Sequence, residues 1–369
     1  MRGMPITDAL AAQLDRLAAL EPGPFPVVSL YLNAQPDQHG RDHFEPFLKK
    51  ELADRIRTYP AEGPERESLD KDGATIRAYL ADLDASANGI AIFTSTGAGL
   101  FEAIQLAAPI DQHRLYVSDE PHLYPLARVL DQYPRYAVLL ADTQLSRIVV
   151  VAANSIETTE QVTGTKTRRH KMGGWSQARY QRHIENYHQQ HAKEVVDTLT
   201  RLVRDEGIGS IVIAGDEVAV PLVRNELPKD IASRVVDVIK LDGNAPERQI
   251  VEATIEVMRQ KDADTDRERV DALLGAYRSG GLAAVGVEAA LRAFEIGQVD
   301  ELLITASPDT IDSGKPGGSA EGDGRTAEER AADELVAKAR QTAATIRFIE
   351  DPALLAAVGG VGALLRFKL

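Results

Sequence analysis

The segment RYAVLLADTQLSRIVVVAAN, residues 135–154, contains two apolar runs separated by a short polar turn. Runs of this length, rich in β-branched and aliphatic residues, are typical of buried strands, and the turn between them predicts a paired start to a sheet. A long helical stretch follows from about residue 176 to residue 206, in which an apolar or ring side chain recurs every three or four residues. The members of this stripe are Tyr180, Ile184, Tyr187, His191, Val195, Leu199 and Leu202. A sheet opened by these two strands and covered by this helix constrains the fold more than any other feature.

Breaks in the pattern divide the chain into three predicted domains, 1–133, 134–278 and 279–369. The first reads as an α+β domain, the second as a sheet with long helices, and the third as an α/β/α unit, so the predicted fold class is α/β with three domains. Further strands are predicted at 26–34, 89–95, 99–106, 114–119, 234–242, 299–306 and 344–350, a strand followed by a turn at 209–220, and helices at 44–58, 74–84, 246–278, 287–296 and 328–342. The stretches 58–73, 279–286 and 309–332 are expected to be polar or glycine-rich connections.

The chain has no cysteine among its 369 residues, which excludes disulfides, a thiolate nucleophile and a cysteine-based zinc site. No apolar run reaches the length of about 20 residues that spans a bilayer, so no membrane partner is expected. The N-terminal stretch has acidic residues where a signal peptide has its apolar region, so we expect a soluble, cytoplasmic protein. The formal net charge of −14 argues against general binding of polyanions, and any contact with nucleic acid must be local.

One segment reverses this charge. Residues 164–193, which we call the basic segment, contain seven Lys or Arg residues and one acidic residue, Glu185, which makes a net charge of 7 − 1 = +6. The cationic residues are Lys166, Arg168, Arg169, Lys171, Arg179, Arg182 and Lys193. A solvated helix face is the ordinary explanation of a charge run. Here the run also holds two adjacent glycines and the only tryptophan of the chain, which favours a functional explanation.

Each residue type in the basic segment suits binding to RNA. Gly173 and Gly174 would allow the backbone to approach a ligand closely, and the cations, with His170 and His183, would contact phosphates. Trp175 and Tyr180 could stack on unpaired bases, and Ser176 could cap the long helix, whose positive N-terminal end would favour an anion. Aromatic side chains that could stack on unpaired bases, together with a glycine tip, favour structured RNA over DNA as the ligand.

The order GG-x-S-x-x-R-[FY]-x-R, formed by Gly173, Gly174, Ser176, Arg179, Tyr180 and Arg182, resembles the catalytic loop of the archaeal and eukaryotic class-I release factors. GGLAAVGVEAALRAFEIGQVDELLIT and GGVGALLRF are similar to the beginning and end of that family's third domain. The resemblance extends over nearly the whole chain and is closest to the bacterial branch of a superfamily that includes Pelota-like rescue factors and Vms-type peptidyl-tRNA hydrolases. It implies a ribonuclease H-like middle domain, a third domain that docks a partner such as a translational GTPase, and the ribosome and the tRNA acceptor end as partners.

Two departures from the family pattern bear on activity. Trp175 replaces the glutamine that defines the family motif, and AEGPERESLDKDG occupies the region of the Asn-Ile-Lys-Ser stop-codon motif. The resemblance therefore implies codon-independent peptidyl-tRNA hydrolysis at stalled ribosomes, with Gly173, Gly174, Trp175, Ser176 and Gln177 as the catalytic residues. Gln177 could substitute for the missing amide if the register of the loop shifts, or could be an ordinary residue of the first helical turn. A binder of the ribosomal A site without catalysis, active in rescue or hibernation, is the alternative.

Two weaker patterns concern metals. His183, His188 and His191 lie on adjacent helical faces, but no carboxylate or cysteine joins them at ligand spacing, so contacts with phosphate or helix packing explain them better than zinc. Asp142 and the pair Asp216-Glu217 follow strands and could hold Mg²⁺ for nuclease chemistry, or could cap turns. We predict no metal and no cofactor, and keep a metal-dependent nuclease as the second alternative.

Overall fold

The computed structural model describes residues 6–35, 44–83, 87–106, 108–133, 135–152, 155–164, 177–314 and 324–368. It is a mixed α/β protein with three sheets, which confirms the predicted class. The chain forms two compact units. Unit 1 combines residues 1–133 with 263–369, and unit 2 comprises residues 134–262. The division into three domains stays a prediction.

The N-terminal part of unit 1 is an antiparallel sheet of order β3-β2-β1-β4 between helices. Its elements are α1 (Ile6–Ala18), β1 (Val27–Asn33), α2 (Phe44–Ile56), α3 (Pro64–Ala81), β2 (Gly89–Ser95), β3 (Leu100–Leu106), β4 (Arg114–Ser118) and α4 (Tyr124–Gln132). β1 and β2 are almost completely buried because α2 and α3 cover one face of the sheet while α1 and α4 contribute to the core on the other.

Unit 2 is built on a five-stranded sheet of order β7-β6-β5-β8-β9. Its elements are β5 (Tyr136–Ala141), β6 (Leu145–Ala152), β7 (Ser155–Thr163), α5 (Gln177–Asp205), β8 (Ile211–Gly215), α6 (Ala219–Glu226), α7 (Lys229–Ala232), β9 (Val235–Ile239) and the first part of α8 (Glu247–Arg278). The first three strands are antiparallel, and β8 and β9 continue the sheet in parallel with β5. Counted within the unit, the strand order is 3-2-1-4-5. Helices α5 and α6 cover one face, and α8 covers the other.

The C-terminal part of unit 1 is a four-stranded mixed sheet of order β10-β13-β11-β12. Its elements after α8 are β10 (Ala283–Val285), α9 (Val287–Glu295), β11 (Val299–Thr305), α10 (Ala327–Gln341), β12 (Thr345–Ile349) and β13 (Val361–Leu365). β11 and β12 are parallel, and β13 is antiparallel to β11. Helix α10 begins with a capping box, in which the Thr326 hydroxyl accepts from Glu329 N and the Glu329 carboxylate accepts from Thr326 N.

A buried carboxylate joins the two parts of unit 1. Asp333 on α10 accepts hydrogen bonds at 2.9 Å from the backbone N–H groups of Leu123 and Tyr124, where α4 begins. Its other oxygen lies 2.6 Å from His122 Nδ1 and 2.8 Å from an Arg325 guanidinium nitrogen. Burial alone would raise the pKa of Asp333, but the charges of His122 and Arg325 hold that pKa below its usual value. A residue more than 200 positions away in sequence thus caps the first turn of α4.

Three local expectations are corrected. The stretch 58–73 was expected to be a polar connection, but α3 already begins at Pro64, where proline suits the first helical turn. Asp72 in this helix is buried because it accepts from Thr94 Oγ1 at 2.8 Å and Thr96 N at 2.7 Å. The polar segment 155–163, for which no strand was predicted, is the edge strand β7. Residues 283–285, predicted as a break, form the short strand β10.

Candidate functional site

The predicted loop lies partly outside the described residues. Residues 165–176 are outside the described ranges. The predicted site residues among them are Lys166, Arg168, Arg169, His170, Lys171, Gly173, Gly174, Trp175 and Ser176. The structure places Gln177, Arg179, Tyr180, Arg182 and His183 on the first two turns of α5 and describes their backbone only. The described elements on either side of the loop are the strand β7 and the helix α5.

Helix α5 is fixed to the sheet by its C-terminal half. From His191 onward the stripe is buried, with Val195 and Leu199 fully inaccessible, whereas Glu185 and Gln189 are exposed. The predicted stripe is confirmed for His191, Val195, Leu199 and Leu202. The buried stripe from His191 onward therefore fixes this half of α5 to the sheet.

Gly164 forms the base of the loop on the strand side. It is buried just after β7, and its N–H donates to the Gln144 carbonyl at 2.9 Å. A methyl group at position 164 would lie 2.4 Å from the Tyr187 hydroxyl oxygen and 3.3 Å from His191 Nδ1. Only glycine allows the strand to lie this close to α5 without displacing a side chain. The two sides of the loop therefore meet at Gly164, Tyr187 and His191.

His191 is the buried polar group of this base. It is 3% exposed, and its Nε2 lies 3.3 Å from the Ser146 hydroxyl, which also donates to the Asp142 carbonyl at 3.1 Å. Its Nδ1 is buried without a hydrogen-bond partner among the described residues. Burial lowers the pKa of His191, an effect that the nearby charges of Glu194 and Asp142 oppose. The neutral imidazole is therefore favoured in the folded protein.

The carboxylates at the strand ends act as caps. Asp142 Oδ1 accepts from Gln144 N at 2.8 Å and Leu145 N at 3.0 Å, which forms the turn between β5 and β6. Asp216 Oδ1 accepts from Val218 N and Ala219 N at the start of α6, and Glu217 pairs with Lys240 at the surface. Within the ranges that the structure describes, no three His, Asp or Glu side chains are grouped to hold a metal ion. The capping interpretation of Asp142 and Asp216 is thus the one that the hydrogen bonds support.

Sequence reasoning missed two features of the base. One is the close approach of Gly164 to Tyr187, for which an isolated glycine at a strand end was the only signal. The other is a largely buried ion-pair cluster, in which Arg135 at the start of the sheet lies 2.7 Å from Glu157 and 2.5 Å from Glu206. This cluster ties β7 to the end of α5. His191 was correctly placed on the buried stripe, which agrees with the prediction of helix packing for this histidine.

No helix in the described part of the chain combines the length and the apolar character needed to cross a membrane. At the C-terminal sheet, Leu282, Ile296 and Phe367 are exposed apolar side chains. The chain segments that carry them are neighbours, since Leu282 O accepts from Leu365 N and Gln298 Nε2 donates to Phe367 O. We call these three residues the apolar edge.

Comparisons with known proteins agree with the resemblance in the sequence. Residues 121–259 match the family model described as bacterial archaeo-eukaryotic release factor family 10. The chain is 25% identical over 210 residues to peptide chain release factor subunit 1 of Methanopyrus kandleri, which covers 55% of this chain and 51% of that protein. It is 27% identical over 210 residues to the same factor of Pyrococcus abyssi, which covers 54% and 50%. The match therefore spans about half the length of these relatives.

Among solved structures, that of Pelota from Archaeoglobus fulgidus aligns over 100% of this chain and 94% of its own, with 13% identity and a TM-score of 0.36. That of an archaeal translation termination factor aligns over 98% of both chains, with 18% identity and a TM-score of 0.28. The resemblance inferred from the sequence is confirmed by the family match and by the two archaeal sequences. Residues 121–259 are thus similar to the bacterial family of archaeo-eukaryotic release factors, and the chain is similar in sequence to the archaeal factors.

Proposed function

We propose that this relative of the release factors acts in the cytoplasm on the ribosome, where its basic segment reaches the acceptor end of tRNA and promotes codon-independent hydrolysis of peptidyl-tRNA in ribosome rescue. One observation carries the proposal: a net charge of +6 over residues 164–193, around two adjacent glycines, in a chain of net charge −14. The base at Gly164, Tyr187 and His191 supports it, because a rigid base limits the positions that the loop can take.

The chemistry would depend on position and on backbone hydrogen bonds. Hydrolysis of the ester needs a water near the carbonyl carbon and donors for the oxyanion that develops, and backbone N–H groups at Gly173 and Gly174 could supply the donors. Trp175 offers one N–H donor and no acceptor, so it cannot orient a water as an amide does. Gln177, on the first turn of α5, is the first residue after the two glycines in the sequence that carries an amide side chain.

The test is release of labelled peptide from ribosome-bound peptidyl-tRNA with no stop codon in the A site. We expect release by the natural protein and a loss of about 100-fold or more in the rate for Gly173→Ala/Gly174→Ala, because methyl groups there block close approach of the backbone. Gly209→Ala is the matched control, since a methyl group at position 209 meets nothing within 4 Å. Equal release by the glycine variant and the control would contradict the hydrolase.

The alternative function is that of a non-catalytic A-site binder. The observation that favours it is Trp175 at the position of the family glutamine. In the same assay, this function gives no release together with binding to the ribosome that weakens steeply with salt, as contacts of Lys and Arg with phosphate do. Substitution of Trp175 by Gln would then create release activity if this residue alone suppresses it.

A translational GTPase is the partner that we propose for the C-terminal part of unit 1. The apolar edge of Leu282, Ile296 and Phe367 supports this part of the proposal, because grouped exposed apolar side chains are typical of protein–protein contacts.

A further inference from the structure

A cavity of about 190 Å³ lies within unit 1, where β1, β4 and α4 meet the start of α10. Its volume corresponds to about a dozen water-sized positions, which suits a molecule with one substituted aromatic ring. The rings of Tyr31, Tyr124 and Tyr133 line part of its wall. Tyr31 donates to the His122 carbonyl and Tyr124 to the Thr305 carbonyl, both at 2.5 Å, so these two hydroxyls are already used by the protein. A ligand would therefore contact the rings of Tyr31 and Tyr124 and not their hydroxyl groups.

His122 lines the cavity with one nitrogen in use. The residue is 1% exposed, and its Nδ1 is held at 2.6 Å by Asp333. Within the described chain, no hydrogen bond reaches its Nε2. Because His122 lines the cavity, this nitrogen can form a hydrogen bond with a ligand or a water there. When the ring is neutral Nε2 accepts from a ligand hydroxyl, and when the ring is protonated Nε2 donates to an anionic oxygen.

Arg128 provides a cation that the protein holds only loosely. Its two ion pairs are long, 3.8 Å to Asp111 and 3.5 Å to Glu350, and its buried Nε has no hydrogen-bond partner within the described ranges. The Asp111 carboxylate is 86% exposed, so a ligand can replace it without leaving a buried charge. A guanidinium in this state favours a carboxylate or a phosphate, which it can bind through two parallel hydrogen bonds.

The other charged groups of the wall are satisfied within the protein. Glu329 accepts from Arg114 at 2.8 Å, from the Tyr116 hydroxyl at 3.2 Å and from Thr326 N at 3.0 Å, so it presents no unused charge. The amides of Gln112 and Gln132 also lie at the cavity. The Arg128 guanidinium, with its two long ion pairs, is therefore the group of the wall that favours a ligand with an anionic group.

We propose that this cavity binds a small planar anion, an aromatic molecule with one phosphate or carboxylate group. Arg128 binds the anionic group, His122 Nε2 contacts a ligand oxygen, and the rings of Tyr31 and Tyr124 contact the planar body. The proposal is independent of peptide release, because the cavity belongs to unit 1 and the basic segment to unit 2.

The test is a titration of the whole protein with phenyl phosphate, 4-hydroxybenzoate, inorganic phosphate and phenol. Calorimetry and the change in melting temperature measure binding. We expect one of the two planar anions to bind at a single site with a Kd of roughly 0.1–1 mM and to raise the melting temperature. Phenyl phosphate and 4-hydroxybenzoate distinguish a phosphate from a carboxylate. Phenol and inorganic phosphate should each bind at least about 10-fold more weakly, because each lacks half of the ligand.

Two variants and a control locate the site. Arg128→Gln removes the cation, and Gln112→Trp fills the cavity from an exposed loop position, so neither depends on disturbing the core. Both should weaken binding at least about 10-fold, while Arg16→Gln, which removes an exposed arginine paired with Glu102, should not. Absence of binding by both planar anions would overturn the proposal, as would binding that both variants leave unchanged. Equal affinity for inorganic phosphate would overturn the assignment of the planar body.

Discussion

Two histidines of this protein are almost equally buried, His122 at 1% and His191 at 3% exposure, but their hydrogen-bond partners differ. In unit 1, His122 lies 2.6 Å from the buried carboxylate of Asp333, which a guanidinium and two backbone N–H groups also contact. In unit 2, the Nε2 of His191 lies 3.3 Å from the Ser146 hydroxyl, and no partner for its Nδ1 lies within the described ranges.

The difference follows from the task of each region. At His122 the N-terminal and C-terminal parts of unit 1 form one core, and a charge-assisted network fixes how α4 meets α10. At His191 the strand and the helix that flank the basic segment meet in a packed but weakly hydrogen-bonded base. The charge-assisted network around Asp333 gives rigidity, whereas the weakly hydrogen-bonded His191 lies at the base of the segment for which we propose peptide release.

Removal of Asp333 should have the largest effect. Asp333→Ala removes a buried carboxylate that contacts His122 and Arg325 and that caps α4, so we expect unit 1 to lose about 3–5 kcal/mol of unfolding free energy. Denaturant unfolding measures the loss, and hydrogen exchange with mass spectrometry assigns it to residues of unit 1.

Asp15→Ala is the control for this variant. Asp15 forms an exposed ion pair with Arg340 between the same two parts of the chain, for which we expect less than about 1 kcal/mol. Similar losses for Asp333→Ala and Asp15→Ala would show that the buried network does not hold unit 1 together.

A methyl group at Gly164 should have an intermediate effect. Because its Cβ would lie 2.4 Å from the Tyr187 hydroxyl oxygen, Gly164→Ala should cost unit 2 about 1–2 kcal/mol by crowding. The double variant Gly164→Ala/Tyr187→Ala should recover part of that loss relative to Tyr187→Ala alone, which a double-mutant cycle in denaturant measures. Strictly additive effects would mean that Tyr187 moves aside freely and that the base is not closely packed.

The smallest effect concerns pH. Burial lowers the pKa of His191, so on acidification the unfolded chain takes up a proton at this residue before the folded protein does. The neutral ring therefore contributes stability above its usual pKa of about 6.5, and this contribution falls as the pH drops from there toward the pKa of the folded state. The pKa of Asp333 is also lowered in the folded protein. The contribution of its carboxylate to the stability of unit 1 is therefore present above a pH of about 4 and is lost only in stronger acid.

His191→Leu separates these ranges. At pH 7.5 we expect its stability to stay within about 1 kcal/mol of the natural protein, because the ring makes one weak hydrogen bond. Between pH 7.5 and pH 5.5 unit 2 of the variant should lose less stability than unit 2 of the natural protein, as measured by denaturant unfolding at both values. An identical loss in the two proteins would show that His191 is not the group that titrates.

Much of the fold could be read from local patterns. The strands β5 and β6 and the helix α5 follow from apolar periodicity, and the helix predicted at 287–296 is observed as α9, which Gly297 follows with φ of +69°. The start of α3 was missed because its buried face carries Asp72, whose partners Thr94 and Thr96 are over 20 residues away. β7 was missed because an edge strand with one exposed face needs few apolar residues.

The sequence by itself determined the three sheets in outline, the stripe of α5, the basic segment and the relation to the release factors, because each depends on residues close together in the chain or on a contiguous motif. Only the tertiary structure decided that Asp333 caps α4, that Gly164 lies against Tyr187 and His191, and that a cavity opens beside His122 and Arg128. The physical reason is that each of these depends on distances between residues far apart in sequence, which are set by how sheets and helices pack and not by the propensity of any segment.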